Sequence, residues 1–251
     1  MKGLEIFVHS VRQVFGNLGP ALRISAVLYL VQVAGMVLLG GFDPSGAMFG
    51  MQTGQVDWPS LFATLALALV TGLWIAVAWH RYVLRVEQPG AAVPPFHGDR
   101  ILSYLGNSLL IVLILIPVSI VLGLIVGLLA SPFVSSAEPS LAVALVFGLL
   151  VYVPVVIIGY RLSVVLPASA LGEPLGLGGA WAATQGEAGT ILALALVSLV
   201  SAFVIDLPAT YLLGGIAAQL WTVATQWVVL MVGISILTTL YGHFVEKRPL
   251  V

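Results

Sequence analysis

Long runs of apolar residues, separated by short polar or Pro/Gly-rich stretches, dominate the sequence. About 20 consecutive apolar residues suffice to cross the hydrocarbon core of a bilayer as a helix. Six runs reach about that length, at residues 21–41, 61–79, 105–130, 141–160, 191–213 and 218–240. The pattern predicts an all-α polytopic membrane protein with six transmembrane helices, forming a single integral membrane domain over residues 1–251.

Two further segments have a helical pattern but are not typical spans. In residues 1–20, apolar residues such as Leu4, Phe7 and Val11 share one face while Glu5 and Arg12 lie opposite. This predicts an amphipathic helix, either in the membrane interface or packed on the protein's own loops. Residues 159–186 predict an amphipathic hairpin on the cytoplasmic side, which would form a floor beneath the bundle or contact lipid headgroups or a partner protein.

Composition narrows the class of protein. Apolar side chains make up 60% of the residues and charged ones 8%, far below the roughly 25% charged content of soluble domains. A net charge of -1 gives no reason to expect nucleic acid as a partner. The absence of cysteine excludes disulfides and thiolate metal sites. We expect no cofactor and no resident metal.

The distribution of cations predicts the topology. With six crossings, all nine Lys and Arg residues fall on the N-terminal side of the membrane. Lys and Arg near span ends are retained preferentially in the cytoplasm. We therefore predict a multi-pass protein of the cytoplasmic (inner) membrane, bacterial, with both termini in the cytoplasm.

Aromatic and basic residues cluster in WHRYVLR, residues 79–85, at the end of the second run. Arg81 and Arg85 are four residues apart, so both could contact lipid headgroups, and Arg161 is placed similarly after the fourth run. Trp79 and His80 are expected in the same headgroup layer. The four histidines all fall on this side, but none has the helical spacing of a metal site, so we predict interfacial anchoring for His80.

Polar residues inside the runs are the remaining candidates for a polar core or path. Gln32 shares a face with Ser25 and Tyr29 in the first run, and Gln219 and Gln226 share one with Thr222 in the sixth. These amides should face other helices, either as interhelical hydrogen bonds or as the lining of a solute path.

Asp206 is the one acid at the edge of a run, and Pro208 follows it. Because proline disfavours helix continuation, we expect the helix to end there and Asp206 to be a hydrated outer-end residue. A proton or cation role for this carboxylate is the alternative.

Two segments carry a resemblance to known proteins. GYRLSVVLPASALGEPLGLGGAWAATQG, residues 159–186, and VFGNLGPALRIS, residues 14–25, resemble poorly characterised bacterial six-helix integral membrane proteins. That group includes the membrane domain attached to some glycerophosphodiester phosphodiesterases. Those enzymes keep catalysis in a separate soluble domain, which this sequence lacks, so the activity is not implied here.

The sequence contains no P-loop, HExxH or GxSxG motif. We therefore predict a non-enzymatic membrane protein with no catalytic residues. It would be an accessory, scaffold or lipid-interacting component, or a subunit of a larger complex, with membrane lipids and other membrane proteins as partners. The alternative is a small-solute or lipid transporter.

Overall fold

The computed structural model describes residues 2–39, 57–90, 92–131 and 141–250, with the backbone alone at 141–145. All regular elements in these ranges are helices. They are α1 (Lys2–Phe15), α2 (Leu18–Leu38), α3 (Trp58–Arg85), α4 (Gly98–Ala130), α5 (Leu141–Ser163), α6 (Val165–Leu171), α7 (Leu177–Ala183), α8 (Ala188–Tyr211) and α9 (Gly215–Phe244).

Six helical segments are long and apolar enough to cross a membrane, which confirms the predicted all-α polytopic architecture. They correspond to α2, α3, α4, α8, α9 and a stretch from Val146 to Leu171 that continues from α5 into α6. Several helices exceed the apolar runs, since α3 continues to Arg85 and α4 begins at Gly98. Charged residues beyond the hydrocarbon can extend a helix in water. The predicted first run ends at residues 40–41, outside the described residues.

The long helices form an antiparallel ring in chain order. α2 packs on α3, α3 on α4, α4 on α5, α5 on α8 and α8 on α9, while α9 closes the ring against α2 and α3. Half of the most apolar window of α9 is buried, against at most 33% in the other spans, so α9 is the central helix. All nine Lys and Arg lie at one end of the ring, hereafter the basic end.

The inner end of the fourth span is broken just before Pro167. Proline has no N–H to donate to the carbonyl of Ser163, four residues earlier. The helix accordingly ends at Ser163, turns at Val164 and resumes as α6, which ends at Gly172 in the left-handed conformation with φ 77°. The break directs α6 into the bundle, where it packs against α3, α4 and α9.

The environment of α6 differs from the predicted amphipathic hairpin. All seven of its residues are buried, so α6 has no water-facing or lipid-facing side. In α7 only Ala180 is buried. The sequence pattern suggested a surface segment because Ser169 is polar and Pro167 interrupts the helix. In the structure, three neighbouring helices enclose both residues. Within the hairpin, α6 thus packs as a floor in the basic end of the bundle, and contact of the more exposed α7 with headgroups or a partner protein stays a prediction.

Helix α1 packs across α8 and α9 at the basic end. Its buried face contains Gly3, Ile6, Ser10 and Val14. Ser10 Oγ donates to Thr239 Oγ1 at 2.9 Å, and Lys2 Nζ lies 2.7 Å from Glu187 Oε1. Hydrogen bonds from Lys2 and Thr190 hold the pKa of Glu187 below its ordinary value, so this carboxylate stays ionised at neutral pH.

Gly3 permits the close approach of α1 to α8. A Cβ at this position would lie 2.5 Å from the carbonyl oxygen of Thr190 and 2.7 Å from the amide nitrogen of Leu194. These are backbone atoms, so Gly3→Ala should force α1 outward. The cost in docking free energy is about 1–3 kcal/mol, which weakens the docking equilibrium of α1 roughly 5- to 150-fold. Maleimide labelling of a single cysteine introduced at the buried Val14 should accelerate accordingly.

The matched control is Gly189→Ala, close to the same contact in α8, where a Cβ has nothing within 4 Å. Its labelling rate should equal that of the parent. Equal rates for Gly3→Ala and the parent would contradict the proposed tight docking.

Candidate functional site

A hydrogen-bonded cluster at the centre of the basic end surrounds His80. The imidazole is fully buried, its Nδ1 lies 2.8 Å from Thr238 Oγ1 of α9 and its Nε2 lies 3.4 Å from the hydroxyl of Tyr104 of α4. The predicted anchoring of His80 and Trp79 by contact with lipid headgroups is therefore wrong, because both side chains are 0% exposed. α3 extends beyond the apolar run and is surrounded there by other helices, which the local pattern does not reveal.

The partners fix the proton arrangement of this cluster. Thr238 Oγ1 donates to the carbonyl of Ile234 at 3.0 Å, so toward His80 it acts as an acceptor. His80 then carries its proton on Nδ1, and Nε2 accepts from Tyr104. The described partners of His80 are two hydroxyls and no carboxylate, and Thr238 donates its proton within its own helix. The arrangement links three helices and does not resemble an activated nucleophile.

The three arginines predicted to contact lipid headgroups have partners within the chain. Arg81 Nε donates to Glu87 Oε2 at 2.7 Å and its Nη1 to the carbonyl of Ala170 at 3.2 Å. Arg85 lies 2.9 Å from Glu173. These bonds tie α3 to the hairpin. The Arg81 side chain is only 13% exposed, whereas Arg85 is 43% exposed and remains accessible to a headgroup.

Arg161 is the third of these arginines and binds within the hairpin. Its guanidinium carbon lies 3.5 Å from the centre of the Trp181 ring, and Nη2 donates to the Trp181 carbonyl at 2.8 Å. Nε donates to Thr184 Oγ1 at 3.0 Å. Contact of these arginines with lipid stays a prediction. Their bonds within the chain hold α3 and the hairpin in place.

The predicted polar stripes have different environments. Thr71 Oγ1 donates to Gln32 Oε1 at 3.1 Å, so the first stripe forms an interhelical bond between α2 and α3. Gln219 and Gln226 are exposed on the outside of α9. Neither amide bonds to another helix among the described residues, where α2 and α8 contact other faces of α9. Their role in a polar core or path stays a prediction.

Asp206 lies in the last part of α8 and is partly buried. The helix does not end at Pro208 but continues to Tyr211, so the expected helix end is displaced by three residues. The position is nevertheless within five residues of the end opposite to the basic one. The hydrated role and the proton or cation role both stay predictions.

An apolar groove lies beside α9, between α8 and α1. Its volume is about 390 Å³, within the range of roughly 300–1,000 Å³ typical of small-molecule sites. α1 contributes Phe7, Val11 and Phe15 at the basic end of the groove. The remaining lining consists of Tyr160, Ser198, Ser201, Ala202, Ile205, Val228, Val229, Val232, Gly233 and Ile236. No local sequence pattern reveals this groove, because its lining comes from four separate helices.

A second, more polar cavity of about 330 Å³ opens at the basic end, lined partly by His9, His243 and Arg248. Its polar groups are engaged within the chain: His243 Nδ1 contacts the carbonyl of Arg248 at 3.2 Å, and Arg248 pairs with Glu246. Within the described ranges, no group of three or more His, Asp or Glu side chains could hold a metal ion.

No protein-family model matches the sequence, and neither a curated protein nor a solved structure matches it. The resemblance to the membrane domain of some glycerophosphodiester phosphodiesterases stays a prediction, carried by residues 14–25 and 159–186 alone.

The His80 cluster predicts a specific stability effect. Thr238→Val removes the acceptor for His80 Nδ1 and leaves a buried donor unsatisfied, which should lower the free energy of unfolding by about 1–3 kcal/mol. The thermal unfolding midpoint in detergent should fall, while Thr238→Ser, which keeps the hydroxyl, should retain most of the stability. Thr210→Val, at an exposed position of α8, is the control. An unchanged midpoint for Thr238→Val would show that the cluster contributes nothing.

Proposed function

We propose that this chain is a non-enzymatic integral membrane protein that binds a membrane lipid and serves as an accessory or scaffold component of the membrane. The observation that supports it is the groove between α1, α8 and α9. The groove is almost entirely apolar and runs along two transmembrane helices. An acyl chain is the apolar molecule available at that depth.

The form of the groove favours one lipid at a defined position over general lipid contact. Ile205 and Val228 lie deep along their spans, about 26 and 24 Å from the basic ends of α8 and α9 at 1.5 Å per residue. Phe7 and Phe15 of α1 lie across its basic end. An acyl chain in the groove would therefore have its headgroup near α1.

The charge on α1 suits a phosphate-containing headgroup. Arg12 follows the groove residue Val11 and is exposed, with no side-chain partner among the described residues. An exposed Arg near the membrane surface attracts anionic lipid. In this proposal α1 lies in the membrane interface, with Leu4 and Val8 on its exposed side contacting the acyl region.

The proposed setting is the cytoplasmic membrane of a bacterium, with the basic end and both termini in the cytoplasm. The described acids at the opposite end are Asp57 and Asp206, and no Lys or Arg lies there.

This orientation predicts the labelling of single cysteines, since the natural chain has none. Leu212→Cys, at the opposite end, should react with a membrane-impermeant maleimide in intact cells, because Leu212 is 81% exposed beyond α8. Gln185→Cys, exposed at the basic end, should react only after permeabilisation. The reverse pattern would exclude cytoplasmic termini.

A transporter of lipids or small solutes is the second candidate. The observation that favours it is α6, a short helix segment separated from its span by the break at Val164 and buried in the bundle. Broken helices of this kind surround substrate sites in many transporters. The polar contact there, Asn107 Nδ2 to Ser169 Oγ at 2.8 Å, is already satisfied within the chain. Protein-dependent movement of labelled lipid between liposome leaflets would favour the transporter.

Filling the groove tests lipid binding directly. A Cβ at Gly233 has nothing within 4 Å, so a leucine there would project into open groove space. Gly233→Leu should clash with a bound acyl chain at a cost of about 1–3 kcal/mol and lower lipid affinity roughly 5- to 150-fold. Native mass spectrometry of protein released from nanodiscs would measure the bound lipid.

Gly123→Leu is the matched control, because Gly123 is also exposed with nothing within 4 Å but lies on α4, outside the groove. It should retain the lipid bound by the parent. Equal lipid occupancy in Gly233→Leu and the parent, or a parent that carries no lipid, would overturn the proposal.

A further inference from the structure

Four amide side chains lie within the described spans, and two of them lack a partner. Gln32 bonds to Thr71 of α3, and Asn107 bonds to Ser169 of α6. Gln219 and Gln226 on α9 are exposed and have no hydrogen bond to any described residue. Hydrocarbon offers no donors or acceptors, so an amide without a protein partner there carries an energetic cost that the two bonded amides avoid.

Depth distinguishes Gln226 from Gln219. At 1.5 Å per residue, Gln219 lies about 6 Å from the start of α9 at Gly215, within reach of the membrane surface. Gln226 lies about 16 Å from that start, which is near the midplane of a hydrocarbon core about 30 Å thick. Water is not available to it there.

The two amides belong to one outward-facing stripe. Gln219, Thr222 and Gln226 follow the spacing i, i+3, i+7, which places them on one side of a helix. The faces beside it are occupied: Tyr29 of α2 donates its hydroxyl proton to the carbonyl of Val223, and Trp221 donates to the carbonyl of Ile205 in α8. The stripe lies between these two contacts, and its two glutamines are exposed and bond to none of the described helices.

We propose that this stripe, Gln219–Thr222–Gln226, is the interface with a second copy of the same chain, related by a two-fold axis along the membrane normal. All copies insert with the same topology, so Gln226 of one copy and Gln226 of the second copy lie at the same depth in the membrane. An amide carries both donor and acceptor groups, so two facing glutamines satisfy each other. A lipid acyl chain has nothing to bond to either group.

The neighbouring residues suit such a contact. Thr222 is small and lies one turn from Gln226 toward Gln219, so two α9 helices can approach there. The surface is not purely apolar, which distinguishes it from lipid-facing helices such as the middle of α4, where Leu113 is 67% exposed. The observations behind this proposal, the exposure and depth of the two amides, are separate from those behind lipid binding in the groove.

Disulfide cross-linking in native membranes tests the geometry without altering Gln226. Thr222→Cys should give a cross-linked dimer on mild oxidation, since the two-fold axis brings the two cysteines together. Leu113→Cys, exposed on α4 and distant in the ring, should cross-link only at the level set by random collisions. Equal cross-linking of the two variants would overturn the proposal. The same result is expected if a different protein covers the stripe, so that case also counts against a second copy.

The energetic contribution of the amide is tested by energy transfer between labelled copies in liposomes. Gln226→Leu should raise the dimer dissociation constant roughly 3- to 30-fold, as expected for one or two interhelical hydrogen bonds. Gln226→Asn, which keeps an amide, should recover part of the affinity. Because Gln226 is exposed and has no hydrogen bond to any described residue, the monomer should keep the thermal stability of the parent. An unchanged dissociation constant for Gln226→Leu would reject the role of the amide.

Discussion

Polar groups inside hydrocarbon can bond only to other protein groups, and this constraint organises the molecule. The backbone meets it by forming helices across all six spans. Side chains meet it by bonding to a neighbouring helix: Gln32 to Thr71, Trp227 to Ser25 at 2.8 Å, and Asn107 to Ser169. Since helix association in lipid has no general hydrophobic driving force, such directional bonds help to select which helices become neighbours.

The basic end follows a related rule for charge. Arg81 bonds to the Ala170 carbonyl and to Glu87, and Arg85 pairs with Glu173, so two cations of α3 hold the C-terminal end of the buried α6. Glu87 also lies 3.2 Å from His97, which connects the loop before α4 to the same network. The exposed pair Arg85–Glu173 contributes little individually, whereas the Arg81 side chain is only 13% exposed. Their combined effect is to hold a short broken helix inside the bundle.

The sequence was sufficient to predict the helices but not their environments. Apolar length decides whether a helix can cross the membrane, and the cations decide which ends lie together, so both features are local and were predicted correctly. His80 and Trp79 were misplaced because their burial depends on α4, α6 and α9, which are distant in sequence. The exposure of Gln226 and the lining of the groove depend on ring order in the same way. Pro167 was recognised as a helix breaker, yet the direction of the chain after the break is set by tertiary packing.

The central helix α9 connects the two proposals physically. One face bonds to His80 through Thr238, a second carries α1 through Thr239, and a third forms a wall of the groove through Val229 and Gly233. The stripe at Gln226 adjoins this third face, because Val229 lies one turn further along the helix. A lipid in the groove and a second copy on the stripe would therefore be neighbours on one rigid helix. Occupancy of the groove would then alter the packing available to the second copy, so lipid binding and association should be energetically coupled, and reciprocally so.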